Sequence, residues 1–250
     1  MDLTEMQRQI SNERHPWEIV RARIAKTLVK KTGIPLSHFL DIGSGDAYVL
    51  SQLCTEYPHY KFTAIDSAYT DEIIRQLKLK INCPINFYTD LSFTPGVSAD
   101  CILLMDVLEH CAGDAAVLMQ AKSHCQKDAI FFITVPAFQT FYSYHDKLLG
   151  HFRRYTEKHF RTICEKQGFN ILESGYFFSS LLLIRVIHLF LEKMGIKNSG
   201  KTIDNWRSGR IISKIICNLL WIDFKISQFF LKLGVRLPGL SVYCVCQPLR

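Results

Sequence analysis

Acidic residues are scarce in the last hundred positions: residues 151–250 hold 6 Asp and Glu against 16 Lys and Arg, whereas residues 1–150 hold 17 against 14. The net charge of +7 therefore arises wholly in the C-terminal part. Such an excess suits an anionic partner, whether a phosphate, an acidic substrate or a phospholipid surface, and equally a solvated basic face. Clean apolar runs of membrane-spanning length are missing too. Residues 176–191, YFFSSLLLIRVIHLFL, are too short and contain Arg185 and His188, and 211–233 is interrupted by Lys214, Asp223 and Lys225. The first residues, MDLTEMQRQISNERHPWE, lack the apolar stretch of a signal peptide. The nine cysteines lack the paired spacing of a zinc site or a secreted disulfide framework. Reduced cysteines and a cytoplasmic location are therefore expected, with the inner face of a membrane as the peripheral alternative. Repeats and low-complexity segments are absent.

What is present is a core-forming chain, with 48% apolar and 21% charged residues in a length that one hydrophobic core can serve. Trp17, Val20, Ile24 and Leu28 space a helix over 16–33 that Gly33 and Pro35 stop. A short apolar run then enters the glycine turn of HFLDIGSG, followed by a helix through Val49, Leu50 and Leu53. Strands are expected at KFTAID, near INFYTD, at ADCILLMD and at AIFFITVP, with helices over 70–80 and about 113–126 between them. Irregular chain over FQTFYSYHDKLLGHFRRY leads to a helix over 156–167, a strand at FNILESGYFF, an apolar helical stretch over 177–233 and a last run, LSVYCVCQP. Alternating strands and helices predict a parallel, doubly wound α/β sheet, with the last run as an antiparallel edge strand. Ligands of such sheets bind beyond the carboxyl ends of the strands, which here read Asp41, Asp66, Asp90, Asp106 and Pro136.

The segment Asp41-Ile42-Gly43-Ser44-Gly45 brings backbone amides close to a ligand, because glycine has no Cβ to keep it away. Asp66, 25 residues after Asp41 at the end of the second strand, is placed to accept both hydroxyls of a ribose. FLDIGSGDAYVLSQL, KFTAID and DCILLMDVLEH resemble the first, second and fourth motifs of class I (Rossmann-like) S-adenosylmethionine-dependent methyltransferases, in order and at the usual spacings, from about Leu40 to Phe169. The resemblance implies a mainly parallel seven-stranded sheet with an antiparallel edge strand and a helical insertion before the last strand. It implies S-adenosyl-L-methionine as cofactor and S-adenosyl-L-homocysteine as product. Gly43 and Gly45 would line the methionine part, with Asp41 and Ser44 beside them; Asp66 and Ser67 would hold the ribose, Asp90 and Leu91 the adenine, and Met105 and Asp106 the methionine amine. Ala47 stands where many members have a third glycine, and is small enough for the loop to survive. An NAD-dependent dehydrogenase shares the fold but would need a third glycine where Tyr48 stands.

Methyl transfer to a hydroxyl or amine needs alignment and a base, and three histidines are placed for the latter: His110 after the fourth strand, and His145 and His151 in the loop after the fifth. The loop YSYHDKLLGHFRRYTEKHF resembles one in a bacterial subgroup of these enzymes with a Gly-His-x-Arg-Arg-Tyr-Thr pattern, whose opening His and aromatic correspond to His15 and Trp17. By that likeness Trp17, Asp146, Arg154 and Tyr155 shape the acceptor pocket. The run Asp106 to His110 also resembles that of ubiquinone-biosynthesis O-methyltransferases, where such residues have been linked to a divalent metal; here Glu109 and His110 are expected to fix the loop and touch the substrate, without a metal.

Four parts are expected: an N-terminal helical segment covering the active site (1–36), the cofactor-binding core (37–176), the apolar insertion (177–238) and the final edge strand (239–250). The insertion either roofs the pocket or lies on a membrane. Both readings suit a small-molecule acceptor that is phenolic, polyketide-like or lipid-linked, methylated on oxygen. Nucleic acid is not expected as a partner, because the basic residues are interleaved with aliphatic ones rather than forming a stacking groove. The other classes in view are a nucleic-acid or protein methyltransferase and a non-catalytic cofactor-binding module.

Overall fold

Apolar residues that alternate along each strand need cover on both faces of the sheet, and the computed structural model supplies it. It describes residues 14–93, 96–194 and 209–249. In chain order the elements are α1 (Pro16–Lys31), β1 (His38–Ile42), α2 (Tyr48–Glu56), β2 (Lys61–Ile65), α3 (Asp71–Lys80), β3 (Ile85–Tyr88), β4 (Ala99–Met105), α4 (Asp114–Lys122), β5 (Cys125–Pro136), α5 (Tyr144–Leu148), α6 (Glu157–Lys166), β6 (Phe169–Phe177), α7 (Ser179–Lys193), α8 (Gly209–Lys232) and β7 (Ser241–Pro248). The seven strands form one sheet in the order β3-β2-β1-β4-β5-β7-β6. Pairing is parallel from β3 to β5, and β7 runs antiparallel to both neighbours.

One face carries Phe39, Phe62, Cys101, Leu103, Ile130, Phe132 and Tyr243, packed with α1, α2 and α8 through Ile24, Leu50 and Phe224. The other carries Leu40, Ile102, Leu104, Phe131, Ile133 and Cys244, packed with α4 and α6 through Leu118 and Phe160. The period-two alternation within β4 and β5 thus divides each strand between two cores. The expected α/β class, the seven strands and the helical insertion hold. The last strand, expected at the edge, lies one place in: β6 is outermost, because β7 pairs on one side with β5 through Phe131 to Pro136 and on the other with β6. Of the apolar insertion, α7 and α8 are described, while 195–208 fall outside the described residues.

Two details depart from the sequence reading. The chain after β5 contains α5, closed by a capping box in which Ser143 and Asp146 bond each other's ends of the turn. And not all cysteines are free thiols: Cys54 at the end of α2 and Cys83 before β3 form a disulfide, with Cα atoms 6.3 Å apart. Their separation of 29 residues gives no local signal, since the two segments meet only once α2 and β3 dock around β2. Disulfides persist in oxidising surroundings, so the expectation of nine reduced cysteines does not stand.

A thiol titration of the denatured, unreduced protein is expected to count seven free cysteines and not nine. Replacing Cys54 and Cys83 by Ser should lower stability by about 3 kcal/mol, the scale of losing a closed loop of this size, read as a fall in the urea midpoint.

Candidate active site

The glycine loop is built by the end of β2. The amides of Gly43 and Ser44 donate to the Ile65 carbonyl at 2.8 and 3.0 Å, and the Gly45 amide donates to Asp66 Oδ2 at 2.9 Å. Asp66 Oδ1 accepts from the Ala68 amide at 2.9 Å, so the carboxylate is held at both ends with lone pairs to spare for hydroxyls. Gly43 has φ +71°, and a Cβ there would sit 2.4 Å from Val107 Cγ2 on the loop after β4. Only glycine fits both demands. Ala47 takes the left-handed conformation at φ 54° and is fully buried, which shows how the loop forms without its third glycine. Tyr69 completes the closure: its hydroxyl donates to the Gly45 carbonyl at 2.8 Å and lies 2.6 Å from Ser44 Oγ. No sequence pattern pointed to Tyr69.

Around the loop stand four acids. Asp41 is buried, and burial, reinforced by the carboxylates of Asp66 and Asp46, pushes its carboxyl up to about 7. Asp106 has φ 57°, a region that aspartate enters more readily than most residues. Its Oδ1 accepts from the Thr134 hydroxyl at 2.9 Å, and its Oδ2 is paired with Arg21 of α1. Arg14 is paired with Asp46 and, at 2.9 Å, with Glu18. A shallow cleft opens between Arg14, Arg21, Ser44 and Asp46. Of the other expected cofactor residues, Leu91 and Met105 are buried, Ser67 is exposed, and Asp90 is exposed and holds its turn by accepting from the Ser92 amide at 2.7 Å, which keeps its carboxyl below the usual range.

Asp146 organises the loop after β5. Though wholly buried, its carboxylate accepts from the Ser143 amide (2.8 Å) and hydroxyl (3.0 Å), from Arg154 Nε (2.7 Å) and from His151 Nδ1 (3.0 Å). Against the cost of burial, these donors hold its carboxyl below the usual carboxylate range. His151 lies edge-on to His110, ring centroids 4.6 Å apart, and the Phe152 amide donates to the Glu109 carbonyl at 2.7 Å. The two histidine-bearing loops are thereby joined. Glu109 is buried with neither carboxylate oxygen hydrogen-bonded, and burial pushes its carboxyl well up; Asp106 adds to the rise while Arg21 and Arg154 oppose it. Ligand atoms of Glu109, His110 and His151 lie within 4.8 Å of one another. That donor set suits a first-row divalent cation, and Asp146 on the far ring nitrogen of His151 is the arrangement that orients a ligating histidine.

Three expected residues are not brought together with these. His145 is exposed on α5. Tyr155 is buried in the second core against Phe160, and its hydroxyl donates to Asp114 at 3.2 Å. Trp17 stacks on His15 at 4.0 Å on the outer rim. The raised carboxyl of Asp41 has a measurable consequence. It contributes stability that is fully present below the unfolded value of 3.8 and is lost as pH rises to about 7. Asp41→Asn should therefore abolish a fall of a few kcal/mol that the ligand-free wild type shows across that window, followed by urea unfolding at each pH.

Comparison with known proteins agrees with this geometry. Residues 11–174 match the family described as Methyltransferase domain. No curated protein is matched by sequence. Among solved structures, the plantazolicin methyltransferase BpumL, in complex with a triazolic desmethylPZN analog and SAH, superposes with a TM-score of 0.55 at 14% identity, covering 93% of this chain and 84% of its own. A 1,6-didemethyltoxoflavin-N1-methyltransferase from Burkholderia thailandensis gives 0.53 at 15% identity over 92% and 78% of the two chains. A putative sarcosine dimethylglycine methyltransferase from Galdieria sulphuraria gives 0.58 at 11% identity over 92% and 86%. At these identities the likeness is one of fold, while the family match spans most of the chain and includes the glycine loop, Asp66 and Asp106. The chain belongs to this methyltransferase domain family and is an S-adenosylmethionine-dependent methyltransferase.

Proposed function

We propose that the enzyme methylates a hydroxyl of a small, apolar, aromatic acceptor, with His151 as the general base. The observation that carries this reading is the Asp146–His151 pair at 3.0 Å beside His110 and the buried Glu109. Bound S-adenosylmethionine supplies a methyl group on a sulfonium, open to in-line displacement. The acids at the strand ends favour its positive charge, Asp66 holds a ribose through its spare lone pairs, and Gly43 and Gly45 leave room for the amino-acid part. His151 donates Nδ1–H to Asp146, which leaves the Nε2 lone pair free to take the hydroxyl proton as the oxygen–carbon bond forms and the carbon–sulfur bond breaks. Glu109, kept protonated by burial, offers an O–H donor beside it.

Support for an apolar acceptor comes from the same loop, where Tyr144, Leu148 and Phe152 are all more than half exposed around His151. Of the structures similar in fold, one is a plantazolicin methyltransferase in complex with a triazolic desmethylPZN analog and another a 1,6-didemethyltoxoflavin-N1-methyltransferase with 1,6-didemethyltoxoflavin bound. The test is incubation with methyl-labelled cofactor and a panel of phenols, with tRNA and protein as controls. Label should appear in the solvent-extractable phenolic fraction; label confined to the tRNA or protein would overturn the assignment.

Two substitutions separate the halves of the site. Asp66→Ala should weaken S-adenosylmethionine binding by about 1–3 kcal/mol in calorimetry. His151→Ala should lower turnover by about 10²–10⁴-fold and leave cofactor affinity unchanged, while His145→Ala stays near wild type. Asp146→Asn should lower kcat and move the pH–rate profile, the mark of a residue that positions the base.

A further inference from the structure

α8 runs for 24 residues, and its three buried positions, Leu220, Phe224 and Ser227, fall on one flank. That flank rests on α1, where Arg23 lies over the Trp221 ring at 3.8 Å and Cys217 Sγ approaches the Pro16 carbonyl at 3.7 Å. The opposite flank is apolar and open. Ile211, Ile215, Leu219, Ile222, Ile226 and Phe229 follow one another at steps of three and four and are 47–79% exposed. At about 100° per residue they share an arc roughly 100° wide along the whole helix. α7, packed on α8, has a stripe of its own in Leu183, Ile187 and Phe190, continued by Met194 just past its end, all 48–63% exposed. Apolar surface of this extent is not left to water without a partner.

The charges beside the stripe say which partner. Arg210, Lys214, Lys225 and Lys232 are all exposed and, on the same helical wheel, lie together along one border of the apolar arc. The single acid of α8, Asp223, is turned to the start of α7, where it accepts from the Ser180 amide at 3.3 Å. No helix among the described residues is long and apolar enough to cross a membrane. An apolar arc edged by cations, on a helix that cannot span, matches the interface of an anionic bilayer, with side chains among the acyl chains and ammonium groups at the headgroups. A second copy of this chain fits less well, because a twofold contact would bring the same cations face to face. We infer that the α7–α8 face seats the enzyme on an anionic lipid surface. α1, which supports α8 through Arg23, also carries Arg21, the partner of Asp106, so the lipid seat and the candidate site are anchored to one helix.

Flotation of the full chain with phosphatidylglycerol–phosphatidylcholine vesicles tests this. The protein should float with them, stay behind with pure phosphatidylcholine and be released by high salt. Lys214→Glu, Lys225→Glu and Lys232→Glu combined should reduce vesicle binding by about a hundredfold, near fivefold per cation removed. Leu219→Glu with Ile226→Glu should also abolish flotation, with helicity and S-adenosylhomocysteine binding retained as the check on folding. Absence of flotation, or equal flotation with neutral vesicles, would overturn the inference. So would sedimentation as a dimer that Leu219→Glu dissociates, since the face would then belong to a second copy.

Discussion

Three successive amides, those of Gly43, Ser44 and Gly45, are committed to the carbonyl of Ile65 and the carboxylate of Asp66. This small lattice ties the end of β1 to the end of β2 before any ligand is considered. It sets where α2 begins, makes Asp66 a structural acceptor, and obliges residue 43 to be a glycine because Val107 is already against it. A loop made by hydrogen bonds to the neighbouring strand holds its shape, with the Asp66 carboxylate fixed by the Gly45 and Ala68 amides. Every other functional group is placed relative to it: Asp106 follows β4, next to β1, and His110 and Glu109 follow Asp106 within a single turn.

The electrostatics of the site are those of a cation receptor. Asp41, Asp46, Asp66 and Asp106 converge, and a group of acids so close is costly unless compensated. In this structure Arg14 and Arg21 compensate two of them, and protonation relieves Asp41. A cationic cofactor offers the same compensation, so the arginines and the cofactor serve one electrostatic demand. In the loop after β5 the balance is reversed. Asp146 is stabilised as an anion by Arg154 and His151, whereas Glu109, a few residues from Asp106, has neither carboxylate oxygen hydrogen-bonded and is pushed up by burial. The two buried carboxyls near His151 are thus pushed in opposite directions, Asp146 towards its anion by its donors and Glu109 towards its neutral form by burial.

Much of this was legible beforehand for a simple reason: in a parallel sheet the strand ends are where ligands bind, and acids at those ends stand out against apolar runs. Asp41, Asp66 and Asp106 were placed at the strand ends in that way, and there the structure has them. What could not be read depends on packing between distant segments. Arg21 looks like any charged residue on an amphipathic helix until α1 is laid across β4. Tyr155 reads as a pocket residue from its neighbours in the loop, yet its ring has turned into the second core and its hydroxyl has found Asp114. Among the histidines, the loop pattern ranked His145 and His151 together. The difference is that Asp146, four residues into the α5 capping turn, points at one of them and not the other. The position of β7 was hidden because a strand's place in a sheet depends on both partners, and its apolar pattern specifies only that it has them.

The place of β7 has a consequence for how the chain comes to be folded. β5 and β6 do not touch; each pairs with β7, which is supplied by residues 241–248, more than sixty positions after β6 ends. During synthesis the sheet therefore waits. β5, whose inner residues from Ala129 to Val135 are all buried in the finished protein, is paired on one side by β4 and presents its other edge open until β7 is made and closes it. The amphipathic α7 and α8 are made in that interval, so the most adhesive surfaces of the molecule coexist with its one incomplete sheet. A chain that has made β6 and not yet β7 is therefore open to aggregation, and a holding chaperone would act on it in that interval.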